Sequence, residues 1–139
     1  MGDARELDRI GAIRRRLREL ESIKAELRHR RDRFMRRADA TLRDPPLVLR
    51  LATRRGMVWR KRVKVTGGPQ STVEFHTEEG RAALSGFSPQ LQAKYLELEQ
   101  ERILLNMQAK IVSSEIRHIK HYLDKHEHAR ELQRELKSG

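Results

Sequence analysis

Six cations crowd into eleven residues of this chain: Arg54, Arg55, Arg60, Lys61, Arg62 and Lys64, with no acid among them. The chemistry open to such a run is electrostatic. Most of the chain's cations are arginine, whose planar guanidinium fork matches phosphate geometry. In an extended strand, Arg60, Arg62 and Lys64 would share one face at intervals of about 6–7 Å. That spacing is close to the phosphate repeat along a nucleic-acid strand. A second group, Arg30, Arg33 and Arg37, falls on one face of a helix, with Arg28 and Arg31 on the neighbouring one. Trp59 stands inside the first cluster, where it can either anchor a core or stack on a base. Core anchoring is the stronger expectation for a lone tryptophan on an alternating strand.

Other chemistry is poorly represented. His118 and His121 are three apart on a helix, with His126 and His128 following, but no carboxylate is spaced as a metalloenzyme motif requires. Their surroundings are polar, and a solvated helix surface accounts for them. No metal or cofactor is expected. Gly67-Gly68 lacks the lysine and helix start of a phosphate-binding loop and reads as a turn. Glu78, Glu79, Glu97, Glu99 and Glu101 bring no pocket with them. No serine, histidine and acid are spaced for catalysis, and the chain is read as non-enzymatic.

Two long helices must carry these residues. From Ser88 an apolar seam runs through Leu91, Tyr95, Leu98, Leu105, Ala109, Val112, Ile116, Ile119 and Leu123, broken only by Arg102. The steps alternate four and three, the spacing of a helix lying along another. Ser88 and Pro89 suit an N-cap and first helical position. Upstream, Leu7, Ile10, Ile13, Leu17, Leu20, Ile23, Leu27, Phe34, Ala38 and Leu42 make a second such pattern, ended by Asp44-Pro45-Pro46. Between them the period drops to two over Val58–Val65 and again over Thr72–Thr77, around the turn residues Thr66–Ser71. This predicts a β-hairpin. Leu47–Thr53 is open to either a turn or two of helix or an extended arm, and a short helix is expected over 77–84. The predicted fold is mainly α: two long antiparallel helices (3–43 and 88–137) forming a helical hairpin or coiled coil, joined by a small basic β-hairpin insertion within 44–87. One elongated domain is expected.

The chain's formal net charge is +11, with 37% charged and only 4% aromatic residues. The excess is uneven: residues 1–43 hold 14 Lys/Arg to 8 Asp/Glu, residues 44–87 hold 8 to 4, and residues 88–139 hold 9 to 8. The last helix is therefore a balanced scaffold, and the excess lies on the first helix and the hairpin. A basic balance suits a polyanion. DNA is favoured over RNA, held by phosphate contacts without base readout. No apolar run is long enough to span a membrane, and the basic helix lacks the aromatic apolar face of a membrane-surface helix. With no cysteine, disulfides and thiolate metal sites are excluded. The expected location is the cytoplasm, or the nucleoid if DNA is bound. Ile103, Leu104, Met107 and Ile111 lie off the seam on a helix that is apolar nearly all round there. They predict a homodimer interface. The competing reading is a coiled-coil adaptor whose partner is a protein.

Overall fold

The computed structural model describes residues 2–62 and 72–138, and these are mainly helical, at 76% helix, with a small three-stranded antiparallel sheet. Helix α1 (Gly2–Thr41) is followed by strands β1 (Leu47–Ala52), β2 (Gly56–Lys61) and β3 (Thr72–Val73), then α2 (Glu78–Ser85) and α3 (Pro89–Ser138). No helix is long and apolar enough to cross a membrane among the described residues. The two long helices fall where the apolar spacing predicts them. Asp44, just past α1, takes a left-handed φ of 44°, a conformation Asp tolerates better than most residues. At the start of α3, Ser88 Oγ accepts from the Leu91 amide at 3.2 Å, the expected cap.

Contacts divide the chain into two compact units, Met1–Arg28 with Gln108–Gly139, and His29–Met107. The second unit holds the sheet. Leu47–Ala52, where the sequence pattern suits either a turn or two of helix or an extended arm, is its first strand. It pairs with β2 across a tight turn at Thr53–Arg55. The expected pairing of the Trp59 strand with Val73 is present, but β3 is only two residues long, not six. The reason is local. The Glu74 carbonyl accepts from the Thr77 amide at 3.1 Å and from Thr77 Oγ1 at 2.6 Å, which curls the chain into α2. Val63, Lys64, Val65 and the turn at 66–71 lie outside the described residues.

The register sorts side chains by face. Leu47, Leu49, Leu51, Met57, Trp59 and Val73 point to one side, and Val48, Arg50, Val58, Arg60 and Thr72 to the other. The first side meets Phe34, Ala38 and Leu42 of α1 and Tyr95, Leu98 and Leu105 of α3 in one core. Trp59 and Tyr95 meet edge to face at 5.2 Å, with Phe75 and Phe87 on Tyr95 at 5.9 and 5.3 Å. Five of the chain's six aromatic residues gather in this unit. The low average therefore conceals a dense local core.

α3 also supplies backbone partners to the sheet. The Arg62 amide donates to the Pro46 carbonyl at 3.0 Å. By antiparallel alternation, the amides and carbonyls of Leu47 and Met57 then point away from the β1–β2 ladder. Tyr95 Oη accepts from the Leu47 amide at 3.1 Å and donates to its carbonyl at 2.8 Å. The Asn106 amide does the same for Met57, at 3.0 and 2.9 Å, where β3 is too short to reach. Gly56 is required beside it. Its φ is +77°, and a Cβ there would lie 2.6 Å from Asn106 Oδ1.

In the first unit, Arg16 pairs with Glu115 at 3.3 Å, Lys120 with Glu21 at 3.6 Å and His126 with Glu6 at 3.1 Å. Leu20, Leu27 and Ile116 are its buried apolar residues among those described.

Candidate nucleic-acid interface

The face of the sheet opposite the core carries the candidate site. Strand alternation puts Arg60 on it, and Arg62 continues the same parity just beyond β2. Arg50, which the sequence reading missed, joins them from β1, exposed and diagonal to Arg60. Diagonal neighbours of this kind sit about 7–8 Å apart. The period-two run Leu47, Leu49, Leu51 is the signal that could have identified the strand and, with it, Arg50. Arg54 and Arg55 occupy the β1–β2 turn, both exposed, with Arg54 at φ 68°. Lys61 has the opposite parity and falls at the edge of the core side. Val48 and Val58, on the arginine face, are themselves buried, at 8% and 6% exposure.

The cluster is not free of acids in space. Arg55 pairs with Glu74 at 3.4 Å, Lys61 with Glu79 at 3.0 Å and Arg62 with Asp44 at 3.3 Å. All three pairs are about half exposed or more. Exposed pairs of this kind are each worth only about 0.2–1 kcal/mol. They lower the local potential without locking the cations away from a phosphate. Arg50, Arg54 and Arg60 have no carboxylate partner among the described residues, and Arg60 Nε is buried without a hydrogen bond there. Arg50 Nη1 donates to the Leu49 carbonyl at 2.8 Å.

On α1, Arg30, Arg33 and Arg37 are exposed along one side of the helix. Arg37 pairs with Glu101 and lies 5.5 Å from the Phe34 ring centroid. Trp59 is a core anchor, at 1% exposure, and is closed to base stacking. Its indole N–H donates to Glu99 Oε2 at 2.6 Å. Glu99, one of the acids that bring no pocket with them in the sequence, is 8% exposed. It also accepts from Arg102 Nε at 3.0 and 3.2 Å, and Arg102 Nη1 donates to the Met57 carbonyl at 2.9 Å. Burial raises the pKa of Tyr95 above its ordinary value of 10.0, and the hydrogen bond it accepts from the Leu47 amide opposes the shift in part.

Ile103, Leu104, Met107 and Ile111 are 52%, 48%, 50% and 59% exposed. They do not pack beneath the hairpin. Leu96 is exposed at 47% on the same side of α3. His118, His121 and His128 are exposed, and no three metal-binding side chains converge among the described residues. Comparison with protein families, with curated proteins and with solved structures finds no match for this chain.

Proposed function

We propose that this chain is a non-enzymatic nucleic-acid-binding accessory protein that grips a phosphate backbone, DNA in preference to RNA. The observation that carries the reading is the meeting of Arg50, Arg60 and Arg62 on one face of the sheet, beside the Arg54–Arg55 turn. Arg30, Arg33 and Arg37 extend the basic surface on α1, and Lys64 belongs to the same run in sequence. The long helices act as the scaffold, an antiparallel helical hairpin. The Glu6–His126 and Arg16–Glu115 pairs support that arrangement in the first unit. The working form is a homodimer held through Ile103, Leu104, Met107 and Ile111, and its place is the cytoplasm, on the nucleoid.

The test is fluorescence anisotropy with double-stranded DNA, single-stranded DNA and RNA of equal length across a salt series. Each phosphate contact on duplex DNA contributes about 0.9 to the log–log salt slope. Arg50→Ala, Arg54→Ala and Arg62→Ala should each reduce that slope by about one contact without loss of helicity. Absence of binding to all three polymers at about 100 mM salt, where screening is moderate, refutes the proposal. The second reading, a protein-binding adaptor, is favoured by the exposed apolar side of α3. It gains if binding to nucleic acid fails while Met107→Glu removes the binding of a second protein without changing the chain's own mass.

A further inference from the structure

DNA can be held by its charge or by its bases, and its two forms differ in which they offer. A single strand exposes its bases, and proteins that take it stack them on exposed aromatic rings. A duplex keeps its bases paired inside and carries about one charge per 1.7 Å of axis, twice the density of either strand alone. Where this chain places its aromatic rings therefore bears on which form the basic face suits.

The chain has one tryptophan, two tyrosines and three phenylalanines, and all six lie within the described residues. Phe34, Trp59, Phe75 and Tyr95 are buried in the core on the other side of the sheet, and Phe87 packs against them. Tyr122 is exposed, but it belongs to the Met1–Arg28 with Gln108–Gly139 unit and not to the sheet. The basic face interleaves cations with aliphatic and hydroxyl side chains. Arg60 stands opposite Val48 on one side and Thr72 on the other, and Arg50 stands opposite Val58. Both valines are buried, so the face offers a base neither a ring nor an apolar platform. What it offers is charge.

We infer that the basic face is a duplex-binding surface, which selects double-stranded over single-stranded DNA by charge density. This selectivity presupposes the nucleic-acid binding proposed above and names the form of DNA it acts on. Its size follows from the contacts. Each phosphate contact contributes about 0.9 to the log–log salt slope on a duplex and about 0.7 on a single strand. With one phosphate each at Arg50, Arg54, Arg60 and Arg62, the two slopes differ by about 0.8. No base contact holds a strand once salt is high, so the two affinities converge near about 1 M salt. The duplex should then be favoured about tenfold at 0.05 M and about fourfold at 0.2 M.

The test is fluorescence anisotropy on the full chain with three DNAs of equal length. They are a mixed-sequence duplex, oligothymidylate, and a single strand of abasic tetrahydrofuran units. The expected result is a duplex preference that shrinks as salt rises, with the abasic strand bound within about twofold of oligothymidylate. Stacking one base is worth about five- to 150-fold in affinity, so the abasic strand exposes even a single stacked base, on a ring or on a guanidinium plane. Arg50→Glu and Arg54→Glu, both at exposed positions, should each weaken duplex binding about eightfold or more at 0.1 M salt. Circular dichroism checks that helicity is kept. A single strand bound as tightly as the duplex at 0.05 M overturns the inference and leaves the nucleic-acid reading standing. So does an abasic strand bound fivefold or more weaker than oligothymidylate. Duplex binding unchanged in both charge reversals puts the DNA on another surface and also overturns it. Binding to none of the three overturns the nucleic-acid reading and the inference together.

Discussion

Replacing Glu99 with Gln should destabilise the His29–Met107 unit more than any single change on its basic face. The carboxylate is 8% exposed and receives the Trp59 indole N–H at 2.6 Å together with the Arg102 guanidinium. Gln has the same shape but only one acceptor oxygen, and its NH2 must face a donor. One of Trp59 or Arg102 then goes unmet, and the guanidinium loses its counter-charge. Removing one partner of a buried pair costs about 3–5 kcal/mol. Here the side chains keep 11% and 19% exposure, so water offsets part of that. About 2–4 kcal/mol remains, a large share of the roughly 5–15 kcal/mol that holds a domain folded. Trp59 is the only tryptophan and touches the altered group, so its fluorescence reports the loss directly. With a urea m-value of about 1 kcal/mol/M, the midpoint should fall by roughly 2–4 M, which is enough to leave a marginal unit unfolded in buffer. Glu99→Gln with Arg102→Met should be milder than Glu99→Gln alone, because no uncompensated charge is left. A midpoint shift below about 0.5 M, or a double variant worse than the sum of the singles, would refute this account of the network.

Alkali should loosen the same unit. Because burial holds the folded-state pKa of Tyr95 above 10.0, the neutral ring contributes its full stability below pH 10. That contribution falls as pH rises through the ordinary value and on to the folded one. Tyr95→Phe should flatten this slope in pH-dependent urea melts while lowering stability by about 1–3 kcal/mol, since the Leu47 amide loses its acceptor. Asp44→Asn and Glu74→Gln should tighten polyanion binding and steepen its salt dependence in the anisotropy assay. They remove the carboxylates 3.3 Å from Arg62 and 3.4 Å from Arg55. Unchanged affinity in both would show that the turn and the end of β2 do not touch phosphate.

Local chemistry made the helices readable. Pro45-Pro46 can only end α1, Ser88-Pro89 suits the start of α3, and an apolar step of three and four persists along both. The sheet was half readable. Alternation around Trp59 is plain, but Leu47–Ala52 follows two prolines and its pattern suits either a turn or two of helix or an extended arm, so nothing in it groups Arg50 with Arg60 and Arg62. β3 looked longer than it is because Phe75 keeps the alternation of Val73. What ends the strand is a hydrogen bond to the Glu74 carbonyl, which no apolar pattern records. The acids beside the cations were invisible for a different reason. Asp44, Glu74 and Glu79 are remote from Arg62, Arg55 and Lys61 in sequence, and only the folded sheet brings them together.

The basic face and the core share one strand. Along β2, Met57 and Trp59 go inward while Arg60 goes outward with Val58. A slip of one residue would bury Arg60 and expose Trp59. The ladder to β1 covers six positions on one edge of β2, while β3 adds only two on the other. α3 opposes a slip by reading the register from the side. Tyr95, Glu99, Arg102 and Asn106 follow one another at steps of four, three and four, which is one face of a helix. They engage, in order, the Leu47 backbone, the Trp59 indole, the Met57 carbonyl and the Met57 amide and carbonyl. Four polar side chains on the balanced helix thus fix which way the arginines of the basic hairpin point. Arg102, the apparent break in the apolar seam, is one of the four.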